Sequence, residues 1–234
     1  LAAGKGTRMK SDLPKVVHQI QGKPLVEYVI EASKEAGAVE ICVVVGYQAD
    51  VVKESIHHKV VYVNQYEQLG TGHAVMQAAD FIGNDGMVIV LCGDTPLITG
   101  NTLRKLVEFH MKSGNAASVL TAMVDDPTGY GRIIRDENGK FVKNVEQKDA
   151  VGNELLSKEI NSGMYLFNSE ALQDAFGKMT LNNSQGEYYL PDTLVAIKEK
   201  GLLVDTLPID IYEEMLGVNT PEQLEEANQI IIKR

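Results

Sequence analysis

Short apolar runs alternate with amphipathic helical stretches along this chain, and that alternation is what most restricts its fold. Strands separated by helices cannot be simple hairpin neighbours. They join through crossovers, which makes an α/β sheet. The pattern predicts strands over 41–45, 60–63, 87–91, 117–124, 159–167 and 202–207. It predicts helices over 25–36, 50–56, 72–81, 101–112, 169–176, 190–200 and 221–234, with Asn101 as an N-cap. Beyond residue 124 the pattern shifts. Residues 132–135 and 141–145 flank Asp136-Glu137-Asn138-Gly139, and Asn-Gly between strand-like runs is a hairpin signal. With 234 residues and 44% hydrophobic content, the chain can bury one large core.

A glycine-rich stretch opens the sequence: Leu1-Ala2-Ala3-Gly4-Lys5-Gly6-Thr7-Arg8-Met9, followed by Leu13-Pro14-Lys15. Glycine lets a ligand approach the main chain, and Lys5, Arg8 and Lys15 add positive charge beside backbone N–H groups able to cradle an anion. That make-up suits a nucleoside triphosphate. Two better-known phosphate loops are excluded. A dinucleotide fingerprint would need glycine at position 9, which is Met9. A Walker loop needs Gly-Lys followed by Ser or Thr, and here Gly-Lys is followed by Gly6, Pro24, Phe141 or Met179.

A net charge of −10 argues against nucleic-acid or acidic-membrane partners. It also requires that cations be concentrated locally if the ligand is polyanionic, and a divalent metal would help. The two cysteines, Cys42 and Cys92, lie in apolar runs and read as small hydrophobes of a reducing compartment. No apolar run approaches membrane-spanning length, so the expectation is a cytoplasmic protein.

The motif Leu-x-x-Gly-x-Gly-Thr-x-Met with a downstream Leu-Pro-Lys resembles the sugar-phosphate nucleotidyltransferases. Further segments narrow it: Glu67-Gln68-Leu69-Gly70-Thr71-Gly72-His73-Ala74, Gly93-Asp94-Thr95-Pro96-Leu97, Asp126-Pro127-Thr128-Gly129-Tyr130-Gly131-Arg132-Ile133, Val145-Glu146, Ile160-Asn161-Ser162-Gly163, Gln185-Gly186-Glu187-Tyr188-Tyr189 and Gly217-Val218-Asn219. Together they are similar to the uridylyltransferase domain of the bacterial bifunctional N-acetylglucosamine-1-phosphate uridyltransferase family (GlmU), over the whole chain and in the family's order. The resemblance implies a Rossmann-like mixed sheet flanked by helices, the nucleotidyltransferase fold, with two lobes around one active-site cleft. Residues 1–124 would form the nucleotide-binding lobe, and residues 125–234 the sugar-binding lobe that completes the sheet. It implies UTP and N-acetylglucosamine 1-phosphate as substrates, Mg²⁺ as cofactor, and a product that feeds peptidoglycan and other cell-envelope polymers.

Asp94 is the best catalytic candidate from the residues themselves. It follows an apolar strand, where open α/β sheets bind ligands, between Gly93 and Pro96. A turn aspartate also commonly bonds its own backbone. The resemblance assigns Asp94 to the metal and pairs it with Asn219, which alone reads as a loop or cap residue. Lys15 and Arg8 would supply charge to the reacting phosphates. The attacking phosphate oxygen is already an anion, so no general base is needed. The five histidines form no metal-ligand spacing. The resemblance gives Leu1, Ala2, Ala3, Gly4, Gly6, Gln65, Gly70 and Thr71 to the nucleotide, although Gln65 alone reads as a solvated strand-end residue. It gives Gly131, Glu146, Asn161 and Tyr189 to the sugar, although Glu146 alone reads as a surface charge. Pro191 stands where some relatives carry threonine.

Three other readings compete. One is the same chemistry on another nucleotide and sugar-phosphate pair. A second is a non-catalytic nucleotide-sugar sensor, which the joint presence of Lys15, Asp94 and Asn219 disfavours. The third is a glycosyltransferase, weakened because Asp94-Thr95-Pro96 is not an Asp-x-Asp motif. The near-absence of a strand before the glycine loop leads to the expectation of further residues upstream. The family continues past the C-terminal helix into a hexapeptide-repeat acetyltransferase domain, of which no repeat occurs here, and full-length relatives would be homotrimers.

Overall fold

A computed structural model describes all residues, Leu1–Arg234. In chain order the elements are β1 (Gln19–Ile20), β2 (Lys23–Pro24), α1 (Leu25–Glu35), β3 (Cys42–Val45), α2 (Ala49–Ser55), β4 (Val61–Asn64), α3 (Thr71–Met76), α4 (Ala79–Ile82) and β5 (Met87–Val90). There follow α5 (Gly100–Ser113), β6 (Ala117–Met123), β7 (Arg132–Arg135), β8 (Phe141–Val145), β9 (Glu159–Asn168), α6 (Ser169–Phe176), α7 (Asp192–Glu199), β10 (Val204–Pro208) and α8 (Pro221–Lys233). The architecture is mixed α/β, a mixed sheet flanked by helices.

Two compact units share the chain. The first comprises residues 1–68, 91–104 and 213–234, and the second residues 69–90 and 105–212. The crossings between them do not fall at residue 124.

In the first unit β3 and β4 pair in parallel, Cys42 with Val61 through Val45 with Asn64. Residues 1–3 run parallel to β3. Ala2 N–H donates to Val44 O at 2.8 Å, and Tyr47 N–H to Ala3 O at 3.0 Å. On the other side Leu1 exchanges hydrogen bonds with Leu91 and Gly93. Ala2, Val16, Val17, Val26, Ile30, Val43, Val45 and Val52 close the core between this ribbon, α1 and α2. A second cluster gathers Met9, Ile20, Leu25 and Leu97 with Val218 and Ala227 of the C-terminal segment. Buried Glu27 of α1 accepts from His57 N–H and meets His58 Nδ1, which ties α1 to the end of α2. These partners outweigh burial and hold its carboxyl below the usual range.

In the second unit the strand order is β10-β6-β9-β7-β8, with β5 also on β9. Only β10–β6 is parallel there; β9 is antiparallel to β5, β6 and β7. The long β9 gives one edge to β6 and divides the other, β7 at its start and β5 at its end. Glu159, buried at the start of β9, cross-links the sheet. It accepts from Arg135 of β7 at 2.6 and 2.7 Å, from Thr121 of β6 at 2.8 Å and from Thr206 of β10 at 3.0 Å. These donors outweigh burial, so its carboxyl sits below the usual range.

The hairpin expected at 132–135 and 141–145 forms with those bounds as β7 and β8. Asp136 Oδ1 accepts from Asn138 and Lys140 N–H at 2.9 Å each, and Gly139 takes φ 76°. The helix expected over 72–81 is two short helices, α3 and α4, because Ala78 N–H turns to Val75 O at 3.0 Å and the chain tightens there. Asn101 is not the cap of α5. Thr99 takes that role, its Oγ1 accepting from Thr102 N–H at 3.2 Å, and Asn101 falls in the first turn. The ribbon β1–β2 had no signal in the pattern, being only two residues per strand.

Candidate active site

The glycine loop of the first unit closes on itself. Met9 N–H donates to Gly6 O at 3.0 Å, making a 3₁₀ turn over Thr7–Met9, and buried Met9 anchors it in the core. Gly6 has φ 67°, and a Cβ there would lie 2.5 Å from Lys15 Cβ. Residue 6 must therefore be glycine for Lys15 to pass. Exposed Gly4 has nothing within 4 Å of where its Cβ would be. Lys5 Nζ lies 5.4 Å over the ring of Tyr47.

Lys15 heads a second 3₁₀ turn, Lys15–Val17, behind Pro14. Its ammonium pairs with Asp94 Oδ2 and donates to Asn219 Oδ1 at 2.7 Å. Arg8 Nη2 donates to the same Asn219 oxygen at 2.9 Å. Four residues far apart in sequence thus share one hydrogen-bonded cluster. Asp94 is fixed by its own turn, where Thr95 N–H and Oγ1 both reach Cys92 O, and by Val218 N–H, which donates to Asp94 O at 2.7 Å. Asn219 is fixed by Gln223 Oε1, which accepts from its N–H at 2.8 Å, and by Gly217 O, which accepts from Nδ2 at 3.0 Å. The carboxylate and the amide oxygen converge on one point, the Lys15 ammonium.

The fit of a divalent ion follows from this donor set. Asp94 and Asn219 turn one anionic and one neutral oxygen toward a single cation, the Lys15 ammonium. Hard oxygens in that arrangement suit Mg²⁺, which takes one or two protein oxygens beside phosphate oxygens and water. A second group, Glu27, Glu31 and His58, brings ligand atoms within 4.8 Å of one another. There Lys23 Nζ already donates to Glu31 at 2.6 Å, and His58 meets Glu27. The sequence pattern missed this group because His58 reaches α1 only through the fold.

Gln65 is 3% exposed, not solvated. Its N–H donates to Val45 O at 2.7 Å, and its carbonyl packs against Gly46, where a Cβ would lie 2.9 Å away. It belongs with Leu1, Ala2, Ala3, Gly4 and Gly6 in the first unit, whereas Gly70 and Thr71 lie in the second. Gly70, at φ 106°, could not bear a side chain: a Cβ would lie 2.6 Å from Tyr188 O. Thr71 Oγ1 accepts from Leu190 N–H at 3.3 Å, which docks α3 on the stretch carrying Tyr189. His73 is part of this docking, its ring stacked on Tyr188.

In the second unit Gly131, Glu146 and Asn161 come together. Asn161 N–H donates to Gly131 O at 2.9 Å, and a Cβ on residue 131 would lie 2.8 Å from Glu146 Oε1. The side chain of Asn161 is held by Tyr165 OH at 2.7 Å and by Gly163 N–H at 3.0 Å. Glu146 is not the surface charge its sequence context suggests. Burial pushes its carboxyl up, against the Asn144 amide, which donates at 2.8 Å. Buried Tyr189 donates its hydroxyl to Asp149 at 3.2 Å and accepts from Gln185 at 2.7 Å. Burial, with Glu146 and Asp149 beside it, pushes Asp192 up to about 6. Ser184 and Tyr189 donate to Asp149 and keep it low. Asp149 and Asp192 were absent from the sequence reading. The only sequence signal is their place just after Glu146 and Tyr189.

These features define a mixed α/β fold with a cation-and-carboxylate centre. The chain belongs to the nucleotidyl transferase family, whose profile matches residues 1–208. Relatives named "Bifunctional protein GlmU" match it along its full length, at 49% identity in Clostridioides difficile and 51% in Caldanaerobacter subterraneus subsp. tengcongensis. The chain covers 51% of each of those proteins, so it spans about half the length of the curated relatives it matches. A crystal structure of UDP-glucose pyrophosphorylase complexed with UDP-glucose superposes with a TM-score of 0.77 at 22% identity, over 99% of this chain and 96% of that one. A putative glucose-1-phosphate thymidylyltransferase from Bacillus anthracis gives 0.76 at 22% identity, over 98% and 92%. Both likenesses establish the nucleotidyltransferase fold. No helix is long and apolar enough to cross a membrane.

Proposed function

We propose that this chain transfers UMP from UTP to N-acetylglucosamine 1-phosphate, giving UDP-N-acetylglucosamine and pyrophosphate. The observation that carries the reading is the shared cluster of Arg8, Lys15, Asp94 and Asn219. The match to bifunctional GlmU proteins supports the choice of substrates. In this reading residues 1–124 contribute the base and phosphate groups, and residues 125–234 contribute the sugar groups together with Asn219.

The sugar-phosphate oxygen attacks the α-phosphorus of UTP. One P–O bond forms, the α–β bridging P–O bond breaks, and pyrophosphate leaves with that electron pair. The nucleophile is an anion, so no side chain removes a proton. The task of the protein is to align two anions and neutralise charge as it builds. Lys15 and Arg8 meet the phosphate oxygens. Asp94 and Asn219 would hold Mg²⁺, which supplies further charge neutralisation to the phosphates. The backbone of Leu1, Ala2, Ala3, Gly4 and Gly6, with Gln65, Gly70 and Thr71, would receive the nucleotide. An amide such as Gln65 matches both the donor and the acceptor of a uracil edge. Glu146 and Asn161 would take sugar hydroxyls and the acetamido group beside Gly131, with Tyr189 lining the pocket. A cytoplasmic enzyme fits such substrates.

A pyrophosphate-release assay over a panel of nucleoside triphosphates and sugar 1-phosphates, with and without Mg²⁺, tests the reading. UTP with N-acetylglucosamine 1-phosphate should give the highest kcat/KM, exceeding glucose 1-phosphate by roughly 10²-fold. A higher value for another pair would transfer the assignment to that pair. No release with any pair would favour a sensor.

A further inference from the structure

Asn144 lies on β8 two residues before Glu146, on the same side of the strand. The pairing of β8 with β7 sets Arg132 opposite Val145 and Ile133 opposite Asn144, which carries Gly131 toward Glu146. Asn144 Nδ2 donates to Glu146 Oε1 at 2.8 Å. The other end of the same amide, Oδ1, is buried and has no hydrogen-bond partner in the chain. It lies 2.9 Å from the point that a Cβ on residue 131 would occupy. A buried acceptor without a donor is costly, and an apolar side chain on this strand would avoid that cost. Asn144 therefore holds Glu146 beside Gly131, and its unpaired acceptor lies close against a residue that has no room for a side chain.

We propose that Asn144 is a specificity-determining residue of the sugar-phosphate pocket: its Nδ2 sets the position of Glu146, and its Oδ1 accepts a hydrogen bond from a hydroxyl or amide N–H of the hexose. The inference deepens the uridylyltransferase reading and rests on it. Asn144 Oδ1 and the Glu146 carboxylate together form an acceptor-rich wall. Such a wall suits a sugar with donors on neighbouring carbons and rejects one that lacks either donor. The charged and titratable groups around Glu146 are Arg132, Asp149, Asp192 and Tyr189. Removing the Asn144 donor would leave burial and Asp149 opposed by Arg132 alone.

The test uses the whole chain with Asn144→Leu and Asn144→Asp, at saturating UTP. N-acetylglucosamine 1-phosphate is compared with its 3-deoxy and 4-deoxy analogues and with 2-deoxyglucose 1-phosphate. In the parent, removing the donor that Asn144 reads should lower kcat/KM by about tenfold. In Asn144→Leu, kcat/KM for the full sugar phosphate should fall by roughly tenfold or more, KM for UTP should stay within about twofold, and the penalty for that one deoxy analogue should shrink below about threefold. The acid limb of the pH profile should move up in both variants. In Asn144→Asp, which keeps an acceptor, the deoxy penalty should survive above that limb. Equal deoxy penalties in parent and Asn144→Leu, or an unchanged kcat/KM for the sugar phosphate, would overturn the proposal while leaving uridylyl transfer standing. A parent that uses no hexose phosphate would instead overturn the uridylyltransferase reading, and this inference with it.

Discussion

Replacing Gly131 with alanine probes the proposed sugar pocket while disturbing the fold little. The backbone there is not in the left-handed region, so alanine can adopt it. Its narrower unfolded ensemble should stabilise the chain by about 0.4–1 kcal/mol. The new Cβ would lie 2.8 Å from Glu146 Oε1, 2.9 Å from Asn144 Oδ1 and 3.2 Å from Asn144 Nδ2. Ordinary contact begins at 3.4 Å, so the Glu146 oxygen must retreat. The shift is about 0.6 Å, and misplacement of a positioning group by about an ångström can cost on the order of 10²-fold. Overpacking that moves backbone costs about 1–3 kcal/mol. Here the crowded atoms are the ends of rotatable side chains, so rotation relieves most of the overlap. Net stability should therefore change by less than about 1 kcal/mol, a Tm shift under roughly 4 °C at this size. Meanwhile kcat/KM for the sugar phosphate should fall by roughly 10- to 100-fold, and KM for UTP should hold. Pyrophosphate release under varied sugar phosphate, with thermal unfolding alongside, reads both quantities. A sugar-phosphate KM within about twofold of the parent, at unchanged Tm, would refute Gly131 and Glu146 as sugar contacts.

Asp94→Asn should keep the fold and lower turnover by about 10²-fold or more, since one charged oxygen is lost at constant shape; near-normal turnover in saturating Mg²⁺ would remove Asp94 from the mechanism. Lys15→Ala should lower kcat as well as kcat/KM, and a rise in KM for UTP alone would make Lys15 a binding residue only. Asp192 is raised from 3.8 to about 6 on folding, so the folded chain binds more protons than the unfolded one in that window and stability falls as pH rises through it. Urea unfolding of Asp192→Asn should thus show a larger gain over the parent at pH 7.5 than at pH 4.5, and an equal gain at both would contradict the burial argument.

The β7–β8 hairpin was legible to the residue because its signal is local: Asp136, Asn138 and Gly139 fix the turn, and the turn fixes the register. The glycine loop was legible for the same reason. The split between α3 and α4 was not, because a mainly apolar 72–81 stretch satisfies a helical period whether or not one hydrogen bond shortens at Ala78. Thr99 outranked Asn101 as the cap of α5 because buried Glu214 also accepts from Thr99 N–H and Oγ1, a contact from far along the chain. Lys15, Asp94 and Asn219 could be joined only through the family resemblance, since no window spans them. The burial of Gln65 and Glu146, and the gathering of Asp149 and Asp192 near Tyr189, are likewise products of tertiary contact that no periodicity encodes.

An acidic chain proposed to handle two phosphorylated substrates must separate its charges. The first unit turns Arg8 and Lys15 onto Asp94 and Asn219, so its cations outnumber its one carboxylate in that cluster. The proposed sugar pocket of the second unit is the reverse. Glu146, Asp149 and Asp192 lie near one another, and buried Arg132 is directed at Tyr130 O and Gln147 rather than into an ion pair. Such a pocket repels phosphate and accepts hydrogen-bond donors, so a sugar phosphate can enter it only by its hydroxyl and amide face. The two units thus differ in local charge, which is why a net charge of −10 is compatible with the polyanionic reaction proposed.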